Sequence, residues 1–270
     1  MLIDINTYIG HWPFRKLVNN TLEALDKKAC ENGITHMVVS NLNSLFYKDT
    51  DEGNEELLKA ISEYRGKTVF LPLAFVNPTY VEWEKDARRA IDNGFAGFEI
   101  SPFYHGYSFA PEMLPDEYYP KHRALKVLDL AGEIGVPVRI CASFENFRGR
   151  SFMDVQKNPT AEDLYALLSC NSSADVFVTG FSAAACGEKL AGLLKTRKNT
   201  YFDITQTDDF VINSINYAGK LVGKGHLCFG TGLPFNYAET NLVKLSLGED
   251  FKFDEGISAD NARKAFKTLR

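Results

Sequence analysis

The sequence predicts an α/β fold, a single (β/α)8 barrel of the TIM type over residues 1–270. Short apolar runs that suit strands alternate with longer amphipathic runs that suit helices, and about eight such units follow one another. Strands that alternate with helices form parallel βαβ units, and a closed set of them is a barrel. The length of 270 residues suits this fold, which typically needs about 250.

The predicted elements follow in order along the chain. Strands are predicted at 3–8, 36–40, 69–76, 96–100, 137–142, 175–179, 200–204 and 226–229. Helices are predicted at 21–33, 51–64, 82–93, 118–134 and 161–169, with a helix start at Ser182 and a closing helix at 261–266. Gly33, Gly94 and Gly135 end three of these helices, as glycine often does. No linker or low-complexity segment interrupts the pattern, which indicates one domain.

The first strand carries an unusual number of polar groups. Ile3 and Ile5 alternate with Asp4, Asn6 and Tyr8, so one face of the strand is apolar and the other is polar. We expect the polar face to point into the barrel. Barrel enzymes keep their chemistry at the loop end of the strands, so this face predicts side chains that bind or react.

Composition and charge narrow the range of partners. The net charge is −5 and no Lys/Arg-rich run occurs, which argues against a nucleic-acid partner. No apolar run approaches the ~18 residues of a membrane span, and the N-terminus lacks a signal-peptide pattern, so we expect a cytoplasmic protein. The five cysteines are odd in number and widely spaced, which suits reduced thiols. The expected partner is a small molecule, and the sequence leaves a homo-oligomer open.

Three short motifs stand near the two ends of the chain. They are an Asp-x-His-x-His-like strand before a glycine at 4–10, a Gly-Thr/Ser-Asp-x-Pro-like strand at 230–235 and an Asn-Ala-x-x-x-Phe helix at 261–266. Together with the segment 97–107, their order and spacing resemble the amidohydrolase-2 branch of the amidohydrolase superfamily. The resemblance covers almost the whole chain and implies a metal-dependent (β/α)8 enzyme.

The chain departs from this family at the positions that hold the metal. Asn6 and Tyr8 stand in place of two histidines on the first strand, Cys141 and Gly180 replace histidines that end the fifth and sixth strands, and Gly232 replaces the catalytic aspartate. A zinc-type site needs about three or more N, O or S donors, and glycine side chains offer none. We therefore expect no metal and no cofactor at the usual location, and the family's general base is lost with it.

Two histidines belong to loops at the predicted top face. His11 follows the first strand and His105 follows the fourth. Each is a candidate general acid or base, because an imidazole titrates near pH 6.5, about the range that proton transfer needs. The alternative is a hydrogen-bonded side chain that only fixes its loop. The other histidines are expected at strand or helix starts, away from this face: His36, His122 and His226.

Alternation along the later strands places further charged side chains inside the barrel. Glu99 and Arg139 face inward on neighbouring strands, either as a structural ion pair or with Arg139 holding a substrate carboxylate while Glu99 moves protons. Asp203 shares the inward face of the seventh strand with Thr205, and it is either an acid or an acceptor for loop amides. Cys141 is either a buried, inert thiol or a nucleophile with a lowered pKa.

Arginines and aromatic residues on the top loops are candidate binding groups. Arg15 and Arg148 suit a small anion, because a guanidinium binds a carboxylate through two parallel hydrogen bonds, although solvated surface arginines are equally common. Tyr104 and Tyr107, with Trp12, could wall a pocket for a ring-shaped ligand or could anchor their loops on the barrel rim.

Two hypotheses from different classes follow. The first is a metal-independent hydrolase or lyase for a small anionic molecule, in which Arg15 and Arg148 bind the anion while His105 and Asp203 move protons. The resemblance permits this, since some members of the wider superfamily open lactones without a metal. The second is a catalytically inactive barrel that serves as a binding or regulatory protein. The expected catalytic residues are His105, Asp203, His11 and Glu99, and the expected substrate-binding residues are Asn6, Tyr8, Arg15, Tyr104, Tyr107, Arg139, Cys141 and Arg148.

The state of the barrel mouth discriminates between these hypotheses. An open mouth with His105, an acid and an arginine within hydrogen-bond reach favours the enzyme. A mouth plugged by Tyr8, Trp12 and Phe144 favours the binding protein. A relocated metal site is a further alternative, and its candidate ligands are His11, His105, Glu145 and Asp203.

Overall fold

Eight strands form one sheet in which each strand pairs in parallel with the next strand along the chain. The computed structural model describes residues 1–113, 122–146, 148–206, 214–246, 254–266 and 269. The strands are β1 (Ile3–Ile9), β2 (His36–Asn41), β3 (Val69–Phe75), β4 (Gly97–Ile100), β5 (Val138–Cys141), β6 (Val176–Thr179), β7 (Thr200–Asp203) and β8 (Leu227–Cys228).

The last strand returns to the first and closes the sheet. Ile5 N donates to Phe229 O at 3.0 Å, and beyond β8 Tyr8 N donates to Leu233 O at 2.9 Å. Thr7 and Leu233 form an isolated parallel bridge at the same edge. The predicted (β/α)8 barrel is therefore confirmed.

Helices follow the strands around the outside. They are α1 (Leu22–Asn32), α2 (Asn43–Phe46), α3 (Thr50–Glu63), α4 (Trp83–Asp92), α5 (Arg123–Ile134), α6 (Ala161–Leu168), α7 (Gly187–Leu194), α8 (Ser214–Val222), α9 (Ala238–Ser246) and α10 (Asn261–Ala265). The predicted boundaries agree with the structure to within a few residues, and positions 118–121 of one predicted helix lie outside the described residues. His226 belongs to a short 3-10 turn rather than to β8, and α2, α8 and α9 were not predicted.

The barrel interior is apolar at the N-terminal ends of the strands. Phe177 stacks between Tyr201 and Phe266. Its ring centroid lies 5.1 Å from that of Tyr201 and 5.4 Å from that of Phe266. Phe266 follows the closing helix α10, so this helix fills the bottom of the barrel. Strand residues of the opposite parity, such as Val138 and Ile140, pack instead against the surrounding helices. The buried polar groups inside the barrel lie above this apolar floor.

A bulge in β1 breaks the alternation of inward and outward side chains that the sequence predicts for this strand. The pairing with β2 advances three residues on β1, from Asp4 to Thr7, against two residues on β2. Ile3 and Ile5 consequently pack in the interior cluster, and Asn6 and Tyr8 also face inward. Asp4 turns to the loop after β8, where both its oxygens accept hydrogen bonds from Thr231. The expectation that Asp4 shares a face with Asn6 was wrong because the extra residue changes the phase of the strand.

Within the part of the chain that the structure describes, no helix has the length and apolar character needed to cross a membrane.

Candidate functional site

Asp203 ends β7 inside the barrel and is completely buried. Its Oδ2 accepts a hydrogen bond from Asn6 Nδ2 at 2.7 Å and another from the Thr205 hydroxyl, and its Oδ1 accepts one from Gly180 N at 3.0 Å. Burial raises the pKa of Asp203, although the hydrogen bonds from Thr205 and Asn6 oppose the shift. This carboxyl therefore keeps its proton to a higher pH than an exposed aspartate does, which suits a proton donor.

Two polar atoms next to Asp203 lack partners. Asn6 Oδ1 and Thr179 Oγ1 are buried, and neither forms a hydrogen bond to any described residue. Asn6 donates to Asp203 through its other amide atom, and Thr179 precedes Gly180, whose N–H also donates to Asp203. An unpaired buried polar atom costs about 1–3 kcal/mol, so such atoms are rare in folded proteins. Their presence on both sides of one carboxyl indicates a place for a polar group of a ligand or a water.

Thr179 was missed in the sequence. It ends β6 in register with Cys141, and Phe177 two residues earlier belongs to the interior cluster. The alternation of this strand, with Val176 and Val178 packed against helices, was the signal that could have placed Thr179 inside.

Glu99 and Arg139 form an ion pair in the interior, and both side chains are fully buried. Arg139 Nε donates to Glu99 at 3.1 Å, and Tyr8 donates its hydroxyl to Glu99 Oε1 at 3.0 Å. The remaining N–H groups of the guanidinium are bonded to Ile5 O, Val38 O, Ser40 Oγ and Glu99 Oε2. The structural alternative for this pair is the one observed. The carboxylate-binding role expected of Arg139 is a poor fit, because its donors are occupied.

Aromatic rings close the mouth of the barrel above these polar groups. We call Tyr8, Trp12, Tyr104, Phe144 and Phe235 the aromatic cap. Trp12 lies at the centre, with ring centroids 5.0 Å from Phe235 and 5.2 Å from Phe144. Trp12 is 1% exposed and Phe144 is 5% exposed. The plugged mouth weighed in the sequence analysis is therefore the arrangement that the structure has.

One arginine lies at the rim of the aromatic cap. Arg15 pairs with Glu145, donates to Phe235 O at 3.4 Å and lies over the Phe235 ring at 5.8 Å. Glu145 also accepts from Trp12 Nε1 at 3.3 Å. The Arg15 side chain is 39% exposed, so part of its guanidinium faces solvent and could reach an anion. Arg148, the other expected anion ligand, is an exposed residue of the β5 loop.

The two tyrosines expected to wall the pocket lie in different surroundings. Tyr104 belongs to the aromatic cap and donates its hydroxyl to Asp154 at 2.7 Å. Tyr107 packs instead in the cluster between the strands and the helices, and its buried hydroxyl has no partner among the described residues. Only Tyr104 is brought to the mouth.

Neither top-face histidine is joined to Asp203. Both ring nitrogens of His105 are buried without a partner in the described part of the chain, its ring lies 6.3 Å from that of Phe75, and burial lowers its pKa to about 4. The lowered pKa makes the neutral ring the main form of His105 at pH 7. His11 is exposed, and its backbone N donates to Asn43 Oδ1 at 2.8 Å. Among the described residues, no acid or arginine is within hydrogen-bond reach of the His105 ring, the arrangement that would have favoured the enzyme.

Cys141 is buried below the aromatic cap. Burial raises the pKa of its thiol, and the nearby Glu99 carboxylate acts in the same direction. The reactive form of cysteine is the thiolate, so this thiol is unsuited to nucleophilic attack. The inert alternative is the one that the site supports.

Comparisons with known proteins find a shared fold. No protein-family model matches the chain, and no curated protein matches it. Solved structures do match over nearly the whole length. A 2,6-dihydroxybenzoate decarboxylase from Rhizobium has a TM-score of 0.68 at 13% identity, covering 99% of this chain and 98% of that one. The barrel has the fold of amidohydrolase-type enzymes.

Two further structures support this assignment of fold. A dihydroxybenzoic acid decarboxylase from Polaromonas sp. JS666, with bound manganese and the inhibitor 2-nitroresorcinol, has a TM-score of 0.70 at 12% identity and covers 100% of this chain and 97% of its own. An amidohydrolase II has a TM-score of 0.68 at 14% identity, with coverage of 99% and 100%. At these identities the likeness concerns the fold alone.

The manganese in one of these structures raises the question of a metal in this chain, and the described side chains at the barrel mouth do not fit one. No group of three or more His, Cys, Asp or Glu residues that could hold an ion occurs among the described residues, so the relocated site is not found there either. Tyr8 is already bonded to Glu99, and the Cys141 thiol keeps its proton. At Gly180, with φ of +70°, an added Cβ would lie 1.9 Å from Ser143 O, so no larger residue fits.

Proposed function

We propose that this barrel is a hydrolase or lyase of the amidohydrolase type that acts on a small anionic molecule without a metal. The observation that carries the proposal is the arrangement around Asp203. A buried carboxyl with a raised pKa lies near two polar atoms that have no partner among the described residues, Asn6 Oδ1 and Thr179 Oγ1. A substrate group that bonded to both atoms would lie next to the proton of Asp203.

The solved neighbours support the class of substrate. One is crystallised with 2,6-dihydroxybenzoate and another is named a 2-pyrone-4,6-dicarboxylic acid hydrolase, so the names span a decarboxylation and a ring hydrolysis of small cyclic acids. In this chain, Arg15 at the rim supplies the cation for an acid group, and the rings of the aromatic cap supply an apolar wall for a cyclic body.

Asp203 has a defined role in either reaction. In a decarboxylation, the bond to the carboxyl carbon breaks, carbon dioxide leaves, and the ring carbon takes the proton of Asp203 with the electron pair it retains. In a lactone hydrolysis, water adds to the carbonyl carbon and Asp203 gives its proton to the leaving ring oxygen. In both cases a proton from solvent returns to Asp203. General acid catalysis of this kind contributes about 10²–10⁴-fold to a rate.

The test uses the two cyclic acids with purified protein in the presence of a chelator. We expect the absorbance of 2,6-dihydroxybenzoate or of 2-pyrone-4,6-dicarboxylate to fall as the acid is consumed. Mass spectrometry identifies the products. Asp203→Asn should lower the rate by at least about 100-fold while binding, measured by calorimetry, persists. Asp4→Asn is the matched control, because Asp4 is equally buried but faces Thr231.

Three outcomes would contradict parts of the proposal. Binding of neither acid would refute the substrate class. Turnover that disappears with the chelator and returns with manganese would refute metal independence. Full activity in Asp203→Asn would refute the role of the carboxyl.

One observation favours a second candidate, a binding protein that does not turn its ligand over. The aromatic cap closes the mouth, so a ligand enters only when its rings move. Binding of either acid without any chemical change, in the wild type and in Asp203→Asn alike, is the result that this candidate predicts.

A further inference from the structure

A second concave site lies at the opposite end of the barrel from the aromatic cap. Its cavity volume is about 520 Å³. Most of its lining residues come just before β7 and β8 in the chain, and one side chain comes from α10. We call it the lysine cleft. Its lining residues are Leu194, Lys195, Lys198, Tyr201, Lys220, Leu221, Val222, Gly223, Gly225, His226 and Lys264.

The charged side chains that line the lysine cleft are lysines. Four lysines line it, and no aspartate or glutamate of the described residues does. The whole chain has a net charge of −5, so this concentration of positive charge is local and not a property of the surface in general. Ammonium groups that converge on a concave surface repel each other, and an anion between them relieves that repulsion.

Several lining groups are held in place. Lys264 Nζ donates to Asn261 Oδ1 at 2.8 Å, which fixes one ammonium group. His226 is buried, and its Nδ1 donates to Thr200 O at 2.6 Å, because a carbonyl oxygen only accepts. In the neutral ring this leaves Nε2 as an acceptor for a ligand hydroxyl. In the described part of the chain, Lys195 and Lys198 form no ion pair and are exposed.

Part of the remaining lining is aliphatic. Leu221 and Val222 contribute aliphatic surface on the side of α8. This volume lies within the range of small-molecule sites, which is about 300–1,000 Å³. The cleft therefore offers cations for one end of a ligand and an aliphatic wall for the other.

We infer that the lysine cleft binds a small organic anion that carries a doubly charged group, such as a phosphate ester, on an apolar body. The site lies at the N-terminal ends of the strands, where barrel enzymes do not keep their chemistry. It is thus a binding site separate from the mouth, and it stands whether or not the proposed function is correct.

The direct test is calorimetric titration with phenyl phosphate and with inorganic phosphate. The titrations are done at a pH above the second pKa of both probes, so that each is a dianion. We expect phenyl phosphate to bind about tenfold more tightly because its ring covers aliphatic surface. Raising the ionic strength from about 0.05 M to about 0.5 M should weaken both. The double variant Lys195→Glu/Lys198→Glu should bind phenyl phosphate at least about 30-fold more weakly.

The matched control changes the net charge by the same amount elsewhere. Lys27 and Lys59 are exposed on α1 and α3, so Lys27→Glu/Lys59→Glu should keep the affinity of the wild type. Equal loss in both double variants would mean that net charge alone is measured, and it would overturn the inference. Unchanged affinity in Lys195→Glu/Lys198→Glu would overturn it as well.

A second measurement needs no variant. An amine-reactive acetylating reagent modifies exposed lysines, and peptide mass spectrometry reports each site. We expect phenyl phosphate to slow modification of Lys195 and Lys198 severalfold and to leave Lys27 and Lys59 unchanged. Protection of none of the cleft lysines at a saturating probe concentration would refute the site.

Discussion

The two halves of the barrel interior differ in how completely their polar groups are paired. On the side of β4 and β5, Arg139 and Glu99 form hydrogen bonds with each other. Glu99 also accepts from Tyr8, and Arg139 also donates to nearby backbone carbonyls. On the side of β6 and β7, Asp203 is bonded, while Asn6 Oδ1 and Thr179 Oγ1 have no partner among the described residues. A completed network mainly holds a fold together, whereas an incomplete one has capacity for a ligand. Under the proposed function, the ligand therefore binds in the half that contains Asp203.

The largest expected effect comes from breaking the completed half. Arg139→Met should lower the free energy of unfolding by about 3–5 kcal/mol, because Glu99 would remain as a buried charge without a partner. Replacing both residues, as Arg139→Met/Glu99→Leu, should recover much of this loss.

Asp203→Asn is the control from the other half, and it should cost less than about 1 kcal/mol in the same urea unfolding experiment. The Thr205 oxygen can accept from the new NH₂ group, because its own hydroxyl can donate to Gly230 O instead. Equal losses in Arg139→Met and Asp203→Asn would show that the two halves do not differ in this way.

The second effect is a pH dependence from Asp4, the carboxyl bonded to Thr231. Burial raises its pKa from 3.8 to about 7. The folded state then binds more protons than the unfolded state between these values, so stability falls as pH rises through this range. Asp4→Asn mimics the protonated acid and should escape the loss, so its advantage over the wild type should grow by on the order of 3 kcal/mol from about pH 4 to about pH 8.

Urea unfolding of both proteins across this pH range measures the difference. Stability curves that run parallel for the wild type and Asp4→Asn would show that the carboxyl does not hold its proton in the fold.

The smallest effect compares two fully buried threonines. Thr179→Val removes a hydroxyl without a partner and should stabilise the free protein by up to about 1 kcal/mol, because valine has the same shape and no polar atom to satisfy. Thr7→Val removes a hydroxyl that donates to Val38 O at 2.9 Å and should destabilise it by about 1 kcal/mol. Thermal unfolding measures the change in stability of both variants. Destabilisation by Thr179→Val would show that the Thr179 hydroxyl is paired.

Much of the fold was predictable because each strand-and-helix unit is a local pattern. The inward positions of Glu99, Arg139 and Asp203 followed from alternation alone, since β4, β5 and β7 have no bulge. Alternation failed on β1, where one extra residue changed the phase. The partners inside the barrel were harder to predict, because the bond between Asn6 and Asp203 joins residues 197 positions apart.

Other features of the site depend on the packing of whole loops. The sequence placed Trp12 and Phe144 at the mouth but left open whether they line a pocket or close it, and only the assembled rings decide this. Whether the polar atoms of Thr179 and His105 have hydrogen-bond partners depends on which described residues surround them in space. The sequence also predicts a polar tip after β7 at 205–208, and its positions 207–208 lie outside the described residues.

The tight approach of Ser143 O to Gly180 makes this position hard to fill with a larger residue. A histidine at 180 requires the main chain after β5 to withdraw first, and that main chain also carries Phe144 of the aromatic cap. A metal centre that uses this position could therefore not be built into the barrel by exchanging donor side chains one at a time. Its engineering must begin by remodelling a loop that contributes no ligand itself.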